Sequence, residues 1–184
     1  MTKKNQKAFD WESLFSLRFA SGLVLGVSLF SLLAALVAQY GFGLAPCILC
    51  LLQRVPYGVA AFLGAAGLFF ASKNQDKHGA LVLNVAAFVF FLNALTAFYH
   101  SGVERHWWMS FLESCKGSAG SEKVSSAKEM LSRLETIPAV PCDQIPWADP
   151  VFGLSMANDN VMLCCGLTVF CLLAARRILK AGQP

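Results

Sequence analysis

Four long stretches of the chain are apolar with almost no charged break: residues 19–40, 47–72, 79–100 and 154–175. Each reaches the roughly 20 residues that a helix needs to cross the hydrocarbon core of a bilayer. The first carries no charge, the second only Arg54, and the fourth is polar at its start in "LSMANDN". Between them lie a very short loop at 41–46, a turn "KNQDKH" at 73–78 and a long polar loop at 101–153. The pattern predicts an all-α membrane protein, a four-transmembrane-helix bundle forming one domain over residues 1–184. The first run exceeds the roughly 7–15 residues of a signal-peptide core, so it is expected to stay as a span. No internal repeat supports an inverted-repeat transporter.

Charge adds an orientation. Lys3, Lys4, Lys7 and Arg18 precede the first span, Lys73 and Lys77 join the second to the third, and Arg176, Arg177 and Lys180 follow the fourth. In a four-span layout all of these fall on one side, which the positive-inside rule makes cytoplasmic. Both termini are then expected in the cytoplasm and the 101–153 loop outside. Composition agrees with the bilayer as surroundings: 56% of residues are hydrophobic and 14% charged, against about a quarter charged in soluble domains. The net charge of +4 is scattered over chain ends and short loops. It gives no nucleic-acid footprint.

The chain has 7 cysteines, and the layout sorts them. Cys47 and Cys50 lie at the outer mouth of span two, Cys115 and Cys142 in the outer loop, and Cys164, Cys165 and Cys171 within span four. The last three read as small apolar residues, the usual behaviour of buried cysteine. The outer four make two pairs on the oxidising side. A Cys115–Cys142 bridge closing the loop suits a static structural role as well as a redox one. A bridge across the two residues between Cys47 and Cys50 constrains almost nothing, and such short pairs are usually redox-active. The rival is a metal-binding or transport protein, with Cys47 and Cys50 recruiting Cys115 and Cys142, or His100 and His106, as zinc or copper ligands. The loop pair lacks tight ligand spacing, so no metal site is expected.

In "APCILCLLQRVPYG" at 45–58, Pro46 marks a helix start. Cys47, Cys50 and Arg54 follow at i, i+3 and i+7 on one face. The positive end of the helix dipole and a guanidinium both favour the thiolate, which is the reactive form. Snorkelling to the headgroups is a compatible role for Arg54. A thiol pair beside an apolar slot at the membrane edge suits a lipid-soluble oxidant. A quinone fits, because its ring needs an apolar pocket and its carbonyl oxygen a cationic donor. Pro56 is expected to interrupt the helix ladder just below. The loop pair can carry electrons in from a soluble partner. "GSAGSE" at 117–122 reads as flexible, and "SAKEMLSRLE" at 126–135 as a short amphipathic helix with Ser126 and Glu129 as a capping box. Trp107, Trp108 and Trp147 suit an interfacial aromatic belt.

"PCILCLLQR" resembles the Pro-Cys-x-x-Cys-x-x-x-Arg signature of the DsbB family of bacterial disulfide bond formation proteins. The likeness continues in "YHSGVERHWW", in Cys115 and in "PCDQIPWADPVFGLSMANDN" around Cys142, and so covers nearly the whole chain. The resemblance implies a quinone-dependent protein-dithiol oxidoreductase in the bacterial inner membrane, with the long loop periplasmic. It implies that Cys115 forms a mixed disulfide with a periplasmic DsbA-like thioredoxin-fold oxidase and that Cys142 exchanges with Cys47. Cys50 would meet the quinone, ubiquinone or menaquinone, and Arg54 would assist its binding. His100 is the best candidate for a further quinone-side residue. Vitamin K epoxide reductases also pair loop cysteines with a membrane Cys-x-x-Cys. Their loop pair precedes that motif, whereas here it follows. The three cysteines of span four are not part of the DsbB pattern.

Overall fold

The computed structural model describes residues 15–112, 115, 141–145, 147–149 and 153–181. The basic residues Lys3, Lys4 and Lys7, the segment at 117–122 and the helix expected at 126–135 lie outside them. Among the described residues four helices are long and apolar enough to cross a membrane. The described residues contain no strand, only an isolated bridge between Ala148 and Ser155.

Helix α1 spans Leu17–Leu36 and runs into a π-helical turn, Val37–Gly41. Helix α2 spans Ile48–Ser72, α3 Asp76–Glu104 and α4 Met156–Ala181. Ser16 caps α1 by accepting from the Phe19 N–H. Cys47 caps α2 with its sulfur, so Pro46 sits one residue outside the helix rather than in its first turn. Helix α2 continues through Pro56 without a break in assignment. The proline removes one ladder N–H, a loss a helix in a packed bundle can absorb.

Helix α3 extends one turn past the expected end at residue 100, and that turn is buried from His100 to Glu104. Its end is a Schellman cap. His106 adopts a left-handed conformation, with φ of 58°. The Trp107 N–H reaches the Gly102 carbonyl at 2.9 Å and the His106 N–H the Val103 carbonyl at 3.1 Å. Gly102 is needed there because the Trp108 ring lies on it, where a Cβ would stand. Trp108 also donates to the Tyr99 carbonyl at 3.0 Å. It thus packs onto the helix end, while Trp107 and Trp147 are exposed.

Packing follows chain order: α1 on α2, α2 on α3, α3 on α4, with α1 also meeting α3 and α4. Bulky side chains such as Phe30, Phe62 and Phe88 point outward, and small ones such as Ala20, Ala60, Ala86 and Ala174 point inward. This distribution is what lipid surroundings favour, since tails solvate large apolar groups and close packing is what joins the helices. Helices α1 and α2 approach closely at Gly64, where a Cβ would come 2.7 Å from the Leu25 backbone nitrogen.

Candidate functional site

The start of α2, the end of α3 and the start of α4 converge at one end of the bundle. Cys47 is buried there, capping α2, and its sulfur accepts the Cys50 N–H at 3.3 Å. The Cys47 and Cys50 sulfurs are 3.0 Å apart and unbonded. Cys115 and Cys142 are joined in a disulfide, and both are buried. Cys47, Cys115 and Cys142 pack in a single buried cluster with Leu49 and Val103, against which Cys50, Tyr99, Trp108 and Leu112 rest. The two pairs that the sequence separates by more than sixty residues thus form one thiol assembly.

His100 faces it from α3, with its Nε2 3.5 Å from the Cys47 sulfur. The Cys50 N–H donated to the Cys47 sulfur and the His100 ring nitrogen beside it favour the thiolate over the thiol. The helix N-terminus acts in the same direction.

A cavity of about 330 Å³ opens beside these residues. Its walls are mostly apolar, with Leu32, Ala38, Pro46 and Leu163 among them, and Cys50, Arg54 and His100 also line it. Cys47 does not. The arrangement sorts the pair: Cys50 borders the cavity, while Cys47 belongs to the cluster with the disulfide. Arg54 is half-buried and turned toward α1. It donates to Gln39 Oε1 at 2.7 Å and to the Ala35 carbonyl at 3.4 Å. Gln39 stands on the π-helical turn that ends α1, next to the cavity-lining Ala38.

Sequence reading missed five polar side chains that complete the site. Gln53 Nε2 donates to His100 Nδ1 at 3.1 Å, and Asn160 Nδ2 donates to Gln53 Oε1 at 2.7 Å. The Tyr57 hydroxyl donates to Asn160 Oδ1 at 2.5 Å. Glu104 lies with Oε1 3.7 Å from His100 Nε2, and the Ser155 hydroxyl donates to its other oxygen. Gln39 is the fifth. Glu104 carried a signal, since it sits four residues after His100 and on the same helix face. The others lie on three different helices, Gln39 at the end of α1, Gln53 and Tyr57 on α2 and Asn160 in the polar start of α4, and no spacing along the chain joins them to His100.

The span-four cysteines differ from one another. Cys171 is buried in the apolar core and Cys165 is exposed on the outer face. Cys164 is buried but hydrogen-bonded, within 3.4 Å of both Tyr57 and Asn93. It is therefore part of the polar network and not only a small apolar residue.

For a metal, the Cys47 and Cys50 sulfurs and a His100 ring nitrogen lie within 4.8 Å of one another. A structural zinc site takes four ligands, and the loop cysteines that the sequence offers to complete it are bonded to each other. His106 is exposed beyond the cap of α3. For a quinone, the fit is better: an apolar slot, a fixed guanidinium and one thiol of a reduced pair share a wall.

Residues 17–174 match the family model of disulfide bond formation protein DsbB. Neither a curated protein nor a solved structure matches the chain.

Proposed function

The chain belongs to the DsbB family of membrane disulfide bond formation proteins, and from that premise we propose that it reoxidises a periplasmic thioredoxin-fold thiol oxidase of the DsbA type and passes the electrons to a membrane quinone. The protein then resides in the bacterial inner membrane with both termini cytoplasmic and residues 101–153 periplasmic, as the distribution of Lys and Arg favours. Roles follow the two pairs. The partner's thiolate attacks the Cys115–Cys142 disulfide at Cys115, and Cys142 leaves as a thiol. Cys142 exchanges with Cys47 of an oxidised Cys47–Cys50 pair. Resolution of the exchanged bonds leaves Cys115–Cys142 oxidised and Cys47–Cys50 reduced, the state of the cysteines described above.

The observation that carries the reading is the split of the Cys47–Cys50 pair. One sulfur is packed with the loop disulfide and the other faces an apolar cavity beside a guanidinium. A quinone bound there accepts two electrons and two protons. The residues of the chain bind and orient it: Leu32, Ala38 and Leu163 present apolar surface to a ring, Arg54 offers an N–H to a carbonyl oxygen, and the surrounding helices exclude water. Cys50 would present its sulfur from the cavity wall, and Cys47 would close the disulfide as the pair is oxidised.

Trapping tests the partner half. A partner variant that keeps only its attacking cysteine has no second thiol to release the bond, so incubating it with the oxidised unmodified protein is expected to accumulate a mixed disulfide mapped by mass spectrometry to Cys115, with Cys142 freed as the thiol. A mixed disulfide at Cys47 or Cys50 instead, with none at Cys115, overturns the assigned order.

A further inference from the structure

The mechanism above leaves a buried carboxyl group, Glu104, without a task. Glu104 is almost wholly enclosed, 6% exposed, yet it borders the same cavity as Cys50. Its neighbours fix what it can do. The Tyr57 hydroxyl and the Cys164 thiol both donate to Asn160 Oδ1, at 2.5 and 3.3 Å. Asn160 is left to donate through Nδ2 to Gln53 Oε1, and Gln53 then donates through Nε2 to His100 Nδ1. An Nδ1 that accepts carries no proton, so the imidazole is neutral with its hydrogen on Nε2. That single N–H faces two acids, Cys47 Sγ at 3.5 Å and Glu104 Oε1 at 3.7 Å. The first distance is a hydrogen bond to sulfur, while the second exceeds the range for oxygen. In this reduced state the N–H serves Cys47. A thiolate and a carboxylate buried together beside one neutral ring would leave an uncompensated charge, which is costly.

We propose that Glu104 is the proton-holding group of the site, protonated when the Cys47–Cys50 pair is reduced and ionised when the pair is oxidised, with the His100 Nε2–H passing from Cys47 to Glu104 between the two states. The inference deepens the quinone reading and rests on it for its purpose. The balance closes. The reduced site holds a Cys47 thiolate, a Cys50 thiol and a Glu104 carboxylic acid. On oxidation the sulfur–sulfur bond forms and two electrons leave to the quinone. One proton comes off Cys50 and one off Glu104, both at the cavity wall. Cys47, which does not reach the cavity, has no proton to deliver across the site. Among the described residues, the other ionisable groups around the pair are Arg54, Tyr57 and Asp159 in the cavity wall and Arg105 next in the chain. Arg54 is engaged with Gln39 and Ala35, and the Tyr57 hydroxyl with Asn160. Glu104 acts through His100 on Cys47, and so is a positioning residue for that thiolate as well as a proton store.

The test uses the full chain in detergent, with the thiols reduced and reoxidised by soluble reagents and no quinone or partner present. Its failure therefore leaves the proposed function standing, whereas loss of quinone turnover alone would not touch it. The reduced-minus-oxidised infrared spectrum of the unmodified protein is expected to show a carboxylic-acid carbonyl band that shifts in deuterium oxide and is absent in Glu104→Gln. In parallel, two-electron reduction is expected to take up one proton fewer in Glu104→Gln than in the unmodified protein, measured at the pH of the infrared spectra. Glu104→Asp is expected to restore the uptake. An infrared spectrum of the unmodified protein without the acid band overturns the assignment, and needs no variant to fold. Equal proton uptake by unmodified protein and Glu104→Gln overturns it as well.

Discussion

Arg54 donates to Gln39 Oε1 and the Ala35 carbonyl, so its guanidinium spans the gap between α1 and α2. That placement converts an expensive intramembrane charge into a fixed donor at the cavity wall. A hydrogen bond to a charged group contributes about 1.5–3 kcal/mol. Arg54→Ala is therefore expected to raise the KM for a soluble quinone by roughly ten- to a hundredfold, with mixed-disulfide exchange at Cys115 unchanged. Steady-state kinetics in quinone and in partner separate the two effects; unchanged quinone kinetics would leave Arg54 a structural role only. At this scale the sequence was informative where chemistry has a spacing. Cys47, Cys50 and Arg54 could be placed on one face because a single helix carries them. Gln53 and Asn160 could not be assigned, because only packing joins α2 to α4: Gln53 looks like an ordinary neighbour of Arg54, and Asn160 like one more residue of the polar start of span four.

At the level of elements, the apolar runs located the four helices but not their buried faces. A helix surrounded by lipid is apolar on every side, so periodicity marks no inner stripe. Small residues carry that information instead. At Gly64 the Leu25 backbone leaves no space for a side chain, whereas at Gly58 nothing lies within 4 Å of an added Cβ. Gly64→Val is expected to force α1 and α2 apart and lower stability by about 1–3 kcal/mol. Gly58→Ala, on the same helix, is expected to be neutral or to stabilise by up to about 1 kcal/mol. Thermal unfolding in one detergent compares them; equal midpoints for the two variants would contradict the packing of α1 on α2. The end of α3 was not legible in the same way. A hydropathy reading stops at the first cluster of polar residues, and "HSGVER" is such a cluster. The helix continues because Ser101 bonds to Asn158 and Glu104 to Ser155, so burial inside the bundle satisfies polar groups that a hydropathy profile scores as loop.

For the molecule as a whole, the fold brings the Cys115–Cys142 disulfide, a thiol pair and an apolar slot to one end of a bundle. The order of the cysteines along the chain becomes an order in space: the loop disulfide and Cys47 share a buried cluster, and Cys50 turns to the cavity. The central claim is that electrons leave through Cys50 to a quinone. The most direct measurement follows the absorbance of a soluble quinone mixed with the purified protein and a reduced thioredoxin-fold oxidase, for the unmodified chain and for Cys50→Ser. The unmodified protein is expected to consume quinone in step with disulfide formed in the partner, and Cys50→Ser to consume none while still exchanging at Cys115. Full quinone turnover by Cys50→Ser would contradict the account.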